Sequence, residues 1–295
     1  MNTTFSSALA AGAVQELVVP RPRWSFSLKA GLALLAIFVL LALLAGVLSP
    51  HDPYAQSLVR RMRPPVWSGG SWTYPLGTDA FGRDYLSRLL HGTRISLAVG
   101  LGGAALSAVV GVLLGVMAGY FGGWIDRMVS FIVSTRLALP SLLVALAVLQ
   151  IAGSGLLIVI VVLALTHWDR FAVVMRTSVR QVSQMDYIAR ARCMGSSDGR
   201  ILAQDILPNV MGHLVVIFTF EMAQCILAAA ALSFLGLGIQ APEPSWGLMM
   251  AEGRKVMTIN PWLISLPGLA LMLMVLAVNL LGEGLREQLT PEALS

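Results

Sequence analysis

The sequence predicts an all-α membrane protein of six transmembrane helices. Three observations carry this expectation. Hydrophobic residues make up 57% of the 295 and charged residues only 12%, with a mean hydropathy of +0.78. Soluble domains are nearer half apolar and about a quarter charged. Uncharged runs of about 20 residues, enough to cross ~30 Å of hydrocarbon, recur along the chain. Between them stand polar segments rich in Gly, Pro and Arg.

Taken in order, residues 1–29 form a basic N-terminal tail with Arg21, Arg23 and Lys29. The first span, 30–48, reads AGLALLAIFVLLALLAGVL and is closed by Ser49-Pro50. It starts too late and runs too long for a cleavable signal. A polar loop, 49–94, leads to a second span within 95–119, which ends in the glycine-rich turn 119–123. Residues 128–165 carry one charge, Arg136, and Gly153-Ser154-Gly155 divides them into spans at 130–151 and 155–168. Arg136 is expected to snorkel to the interface. A polar tract, 167–208, precedes a fifth span at 210–238, which contains Glu221, and a sixth at 264–281. The last five spans form a core over 95–285, followed by a tail at 286–295. Six crossings put both ends on one side. Lys and Arg are modestly more numerous there, which makes that side cytoplasmic.

The remaining chemistry is sparse. Only two of the 20 basic residues are lysines, Lys29 and Lys255, and the arginines form no patch with interleaved aromatics. Membrane-flanking charge accounts for them, and no nucleic acid is expected as a partner. Cys193 and Cys225 are too few for a disulfide framework or a zinc site. His51, His91, His167 and His213 lie far apart with no ligand spacing, so no metal site is expected. In the loop, Asp79 and Arg83 are spaced to pair across a helical turn, ahead of a capped entry to the second span. Residues 241–257 read as an outer surface or re-entrant helix. Glu221 must face the bundle interior, a pore or a partner, because a carboxylate is costly at the bilayer centre. Glu221, with Gln224 three residues on, is therefore a candidate for the substrate path, against a bland role as helix–helix glue.

Within the polar tract, 186–209 reads DYIARARCMGSSDGRILAQDILPN. Met185, Ile188, Ala191 and Met194 recur at helical spacing, and Gly195 then breaks the helix. Ser196 or Ser197 is placed to cap a second helix with Asp198 in its first turn. Pro208 should stop or kink that helix near Leu207. A helix–turn–helix knob at the membrane surface suits a groove on another protein, and a solvated linker between spans is the alternative.

This tract resembles the cytoplasmic coupling loop of ABC-importer permeases, a Glu-Ala-Ala–three residues–Gly–nine residues–Ile-x-Leu-Pro pattern. Ala191, Gly195, Leu207 and Pro208 match it, whereas Ala189, Arg190 and Asp205 stand where glutamate, alanine and isoleucine are usual. The resemblance covers roughly residues 25–290. PLGTDAFGRDYLSRLLHGTRISLAVG (75–100), AGYFGGWID (118–126), LALPSLL (137–143), LSFLGLGIQAPEPSWG (232–247), PGLALML (267–273) and NLLGEGLRE (279–287) all look like the second permease of dipeptide, oligopeptide and nickel importers. RPPVW (63–67) leans toward the dipeptide branch, and HW (167–168) is similar to the nickel branch.

The resemblance implies a type I ABC-importer permease fold with a coupling loop at 175–208. It implies ATPase contacts at Tyr187, Ala189, Arg190, Ala191, Gly195, Ser196, Asp198, Leu207 and Pro208. It also implies a homologous permease subunit, two ATP-binding subunits and an external substrate-binding protein as partners, with lipid around them. The chain has no Gly-x-x-x-x-Gly-Lys-Ser/Thr phosphate loop. ATP and Mg are thus expected in the partner subunits, with no cofactor and no enzymatic activity in this chain. A permease for nickel or another small solute is the nearest alternative. A proton-coupled secondary transporter using Glu221 is one from a different class.

Overall fold

The computed structural model describes residues 25–289. Arg21 and Arg23, most of the 1–29 tail and residues 290–295 lie outside the described residues. Among those described there is no β-strand, only an isolated bridge between Thr78 and Asp84. Among the described residues, five helices are long and apolar enough to cross a membrane, and the count is six if a sharply bent helix pair is one broken span rather than a re-entrant loop.

Helix α1 (Phe26–Leu48) begins where the Ser25 side chain accepts a hydrogen bond from the Leu28 amide, at 3.2 Å. It therefore takes the last four residues of the expected tail. Helix α2 (Tyr85–Phe121) starts ten residues before the expected 95. Asp84 caps it by accepting from the Ser87 amide at 3.0 Å. The charges that marked loop in the sequence lie inside its first turns, satisfied by remote partners. Arg94, for example, donates to the Leu43 carbonyl of α1 at 3.0 Å.

The third expected span is not continuous. Helices α3 (Gly123–Leu137) and α4 (Ser141–Ala152) meet at 85°. Pro140 lacks the amide that would carry the helix on. The Arg136 guanidinium donates to the Leu139 carbonyl at 3.1 Å and to the Thr166 carbonyl of the next helix. That next helix, α5 (Leu156–Ser183), runs well beyond the expected end at 168. Its later arginines have a counter-charge in the first turn of α3. Arg176 donates to Asp126 at 2.9 Å, and Arg180 lies 3.7 Å from it. Residues 175–183 thus belong to a bundle helix, and the connecting tract starts at 184 rather than 175.

Short helices α6 (Asp186–Cys193) and α7 (Asp198–Arg200) come next, and a π-helical stretch, Ile201–Ile206, leads into α8 (Leu207–Phe234). Pro208 neither stops nor sharply kinks this element. The Leu207 amide reaches back to the Leu202 carbonyl, and the wider winding gives the proline ring room. The last helices are α9 (Trp246–Arg254) and α10 (Trp262–Leu289). Pro267 interrupts α10 without breaking it, and the Leu263 carbonyl that loses its amide partner accepts the Tyr85 hydroxyl instead.

Small residues bring the helices together. On α2, Gly111, Gly115 and Gly119 lie one turn apart, against Trp168, Ala172 and Arg176 of α5. A Cβ at any of the three would fall closer than 3.0 Å to the carbonyl oxygen opposite. Gly31 of α1 and Gly284 of α10 make a similar close approach. Lipid tails are as apolar as leucine, so van der Waals contact at short range does most of the work of association. A central core of Ala104, Met222, Ile226, Trp246, Met274 and Val278 fills the space between α2, α8, α9 and α10.

Candidate functional site

Two features stand out, a knob at one end of the bundle and a charged cluster midway along it. The knob is α6, α7 and the π-helical stretch. Ile188 of α6 is fully buried and packs with Ile201, Ile206 and Val210 against Met175, Val179 and Val182 of α5. This places α6 across the ends of α5 and α8. Tyr120, at the end of α2, donates its hydroxyl to Asp198 at 2.6 Å, and the Arg192 guanidinium lies 5.1 Å from the same ring.

The turn between α6 and α7 is set by Gly195, whose φ is +80°. Its amide bonds to the Arg192 carbonyl, and the Ser196 amide bonds to the Ala191 carbonyl. This closure needs a left-handed residue at the position glycine holds. Ser196 thus closes α6 instead of capping α7. Ser197 takes the cap position, with no side-chain hydrogen bond. A side chain at Gly195 would meet nothing within 4 Å, so the glycine is required by backbone conformation and not by crowding within this chain.

Of the nine tract residues singled out in the sequence, seven lie on α6, α7 and the turn between them, and Leu207 and Pro208 open α8. Tyr187, Ala189, Arg190, Gly195, Asp198 and Pro208 are exposed, while Ala191, Ser196 and Leu207 are half-buried against the apolar centre. Asn209 donates to the Tyr187 hydroxyl at 3.3 Å and to the Asp205 carbonyl at 2.6 Å. The departures at Ala189 and Arg190 fall on the exposed face, and that at Asp205 is half-buried.

The second feature centres on Glu221, midway along α8. It is fully buried. Its Oε2 lies 3.0 Å from His167 Nδ1, and its Oε1 accepts from Arg170 Nη1 at 3.3 Å. Both partners belong to α5. Sequence reasoning weighed His167 as a metal ligand and rejected it, read it otherwise only within the HW motif, and did not single out Arg170. A carboxylate in an apolar span demands a partner, and these two residues lie one turn apart in the neighbouring helix. Gln224 points elsewhere: with Thr166, His167 and Ser141 it lines a cavity of about 360 Å³ between α4, α5 and α8.

At the other end of the bundle, Asp79 and Arg83 do pair, at 2.6 Å, but across a turn at Gly82 and not on a helix. Glu252 of α9 joins them, 2.9 Å from Arg83 and 3.4 Å from Arg88. Residues 241–257 are therefore more than a surface helix. Trp246 of α9 is buried in the bundle and donates to the Leu89 carbonyl at 3.0 Å. Among the described residues, no three His, Cys, Asp or Glu side chains are grouped to hold a metal ion.

Comparison with known proteins gives these features a context. Residues 111–294 match the family described as binding-protein-dependent transport system inner membrane component, which takes in the knob and Glu221. Residues 29–65 match the N-terminal TM domain of oligopeptide transport permease C. The chain is 40% identical to the Di/tripeptide transport system permease protein DppC of Pseudomonas aeruginosa over 89% of its length and 87% of that protein. It is 41% identical to the Glutathione transport system permease protein GsiD of Pectobacterium atrosepticum, over 92% of this chain and 88% of the relative. It is 37% identical to the Dipeptide transport system permease protein DppC of Alkalihalophilus pseudofirmus, over 89% and 84%. With its bundle of apolar helices, the chain belongs to the family of binding-protein-dependent transport system inner membrane components.

Proposed function

We propose that this chain is a permease subunit of an ATP-driven importer of dipeptides or short peptides. It forms one half of a transmembrane core with a homologous permease. Two ATP-binding subunits, which hold ATP and Mg, sit on the cytoplasmic side, and a substrate-binding protein docks outside. The N-terminus and α6 face the cytoplasm, and α9 faces the exterior. The relatives' printed substrates, di- and tripeptides, dipeptides and glutathione, support a peptide over a nickel ion.

The observation that carries the reading is the packing of α6. Its exposed face is available to the ATPases, and its buried Ile188 is wedged against α5 and α8. When the ATPases close, they push on α6. A packed apolar contact transmits that push as a rigid-body movement. The two helices that receive it carry the mid-span residues His167, Arg170, Glu221 and Gln224. Rocking α5 and α8 switches access to the space between the two permeases. The relatives, all named as transport system permease proteins, favour this reading over a proton-coupled secondary transporter using Glu221.

The test is a tryptophan at Gly195 in the reconstituted complex. The variant is expected to insert and assemble, and its ATPase to turn over while peptide uptake falls to background. Uptake at the native rate would remove α6 from the coupling route.

A further inference from the structure

We propose that Arg170, braced by Glu221, is an anion-binding group of the translocation path and takes the C-terminal carboxylate of the transported peptide. This inference rests on the peptide-importer reading. It differs from the expectation that Glu221 itself meets the substrate, and the difference comes from an account of the donors and acceptors in the cluster.

Glu221 is closed. It is 0% exposed, with one oxygen against His167 and the other against Arg170, so it offers nothing to a ligand's ammonium group. Arg170 is open. A guanidinium carries five N–H donors in a fixed fork. Among the described residues, only Nη1 has a side-chain acceptor, and 46% of the side chain is exposed. The guanidinium carbon lies 5.3 Å from the centre of the Phe220 ring, and among the described residues neither Nε nor Nη2 makes a hydrogen bond. The edge these two nitrogens form matches the two oxygens of a carboxylate.

Arg170 lies midway along α5 and its counter-ion midway along α8. A half-exposed guanidinium is too costly to leave against hydrocarbon, so the Arg170 face of α5 and α8 turns toward water or the partner permease. The Arg170 neighbours Phe220 and Val174, the latter one turn along α5, line a cavity of about 650 Å³ between α5, α8 and α10, although Arg170 itself is not in that lining. That volume falls within the range of small-molecule sites, roughly 300–1,000 Å³. Thr219, His213 and Asn279 add polar groups to the same wall, and Glu283 and Arg286 add a charge of each sign, paired with each other at 3.5 Å. Glu221 contributes by holding one side of the guanidinium, so less side-chain freedom is lost when an anion pairs with the other.

The experiment compares a peptide acid with its amide. The complete complex, in proteoliposomes with its binding protein, is supplied with Ala-Phe or Ala-Phe amide at concentrations that saturate the binding protein. Initial ATP-dependent uptake is then measured. The native complex is expected to move the acid faster than the amide. Arg170→Gln is expected to slow the acid about tenfold, roughly what one charge-assisted hydrogen bond contributes, and to bring the acid-to-amide ratio close to unity. Arg170→Lys keeps the charge and is expected to restore most of the ratio. Because the ratio is taken within one preparation, poor folding of a variant lowers both rates and leaves it unchanged. Equal native rates for acid and amide overturn the proposal. So does a Gln variant slowed equally on both, which makes Arg170 a counter-ion or a contact to the partner permease. If the native complex shows no ATP-dependent uptake, the failure is a different one, and the importer reading itself falls.

Discussion

At the α9 end of the bundle, four charged side chains, Asp79, Arg83, Arg88 and Glu252, are packed together. At the α6 end, seven apolar ones are, with Ile188 at their centre. The charged end is long-range and unforgiving. It ties the loop before α2 to α9, and Arg88 is fully buried with two of its nitrogens lacking a hydrogen-bond partner. Loss of any member leaves a charge stranded in a poorly solvated place. The apolar end is local. It joins neighbouring segments and leaves one face exposed, and its backbone turns on a single left-handed glycine. An abutment and a handle have these different needs. One must hold the entry to α2 against α9, while the other must move as a unit under an external push.

The sharpest way to break the comparison is Glu252→Ala. With the carboxylate gone, Arg83 and Arg88 share Asp79 alone, and the expected loss is about 3–5 kcal/mol. It would be read as a lowered thermal midpoint of the purified complex. An unchanged midpoint would mean that water already compensates the arginines and that the charged end is no clamp. At the opposite end, Ile188→Ala should weaken the docking of α6 on the bundle by about 2–3 kcal/mol, a local loss in the lower part of the range for such truncations, because residues at a bundle end can close on the gap. Its signature differs: α6 loosens, so peptide uptake per ATP hydrolysed falls while the thermal midpoint of the bundle barely moves. Equal loss of both quantities would make the knob part of the global core.

The smallest effect separates conformation from contact at Gly195. Asparagine tolerates the left-handed region better than a β-branched residue does. Gly195→Val is expected to cost about 1–2 kcal/mol through backbone strain, and Gly195→Asn a fraction of that. Coupled uptake should change in the same order. If asparagine is as damaging as valine, a partner surface lies close against the turn, and contact rather than φ sets the requirement.

Much of the knob was legible before any coordinates. The spacing of Ile188 and Ala191 marked a helix with one apolar face, and Gly195 marked its end, because both signals are local. Helix boundaries were legible only where hydrophobicity changes at a helix end. They failed at 85–94 and 169–183, where arginines inside helices are matched by Asp126, Glu221 and Glu252 from elsewhere in the chain. The glycines at 111, 115 and 119 carried a readable signal, a small residue at every fourth position, that went unused. The bend at 138–140 came from Pro140, which a count of apolar residues does not weigh.

By itself, the sequence determined which segments are apolar enough to enter a membrane and where a left-handed turn ends a surface helix. Transfer into hydrocarbon and the torsional freedom of glycine are properties of a segment taken alone. Tertiary structure decided the fate of the charges: Glu221 is closed and Arg170 open, Arg136 bonds to the carbonyls of Leu139 and Thr166, and Glu252 serves two arginines at once. Whether an ion can be buried depends on a counter-charge within reach, and that is a property of how the helices pack.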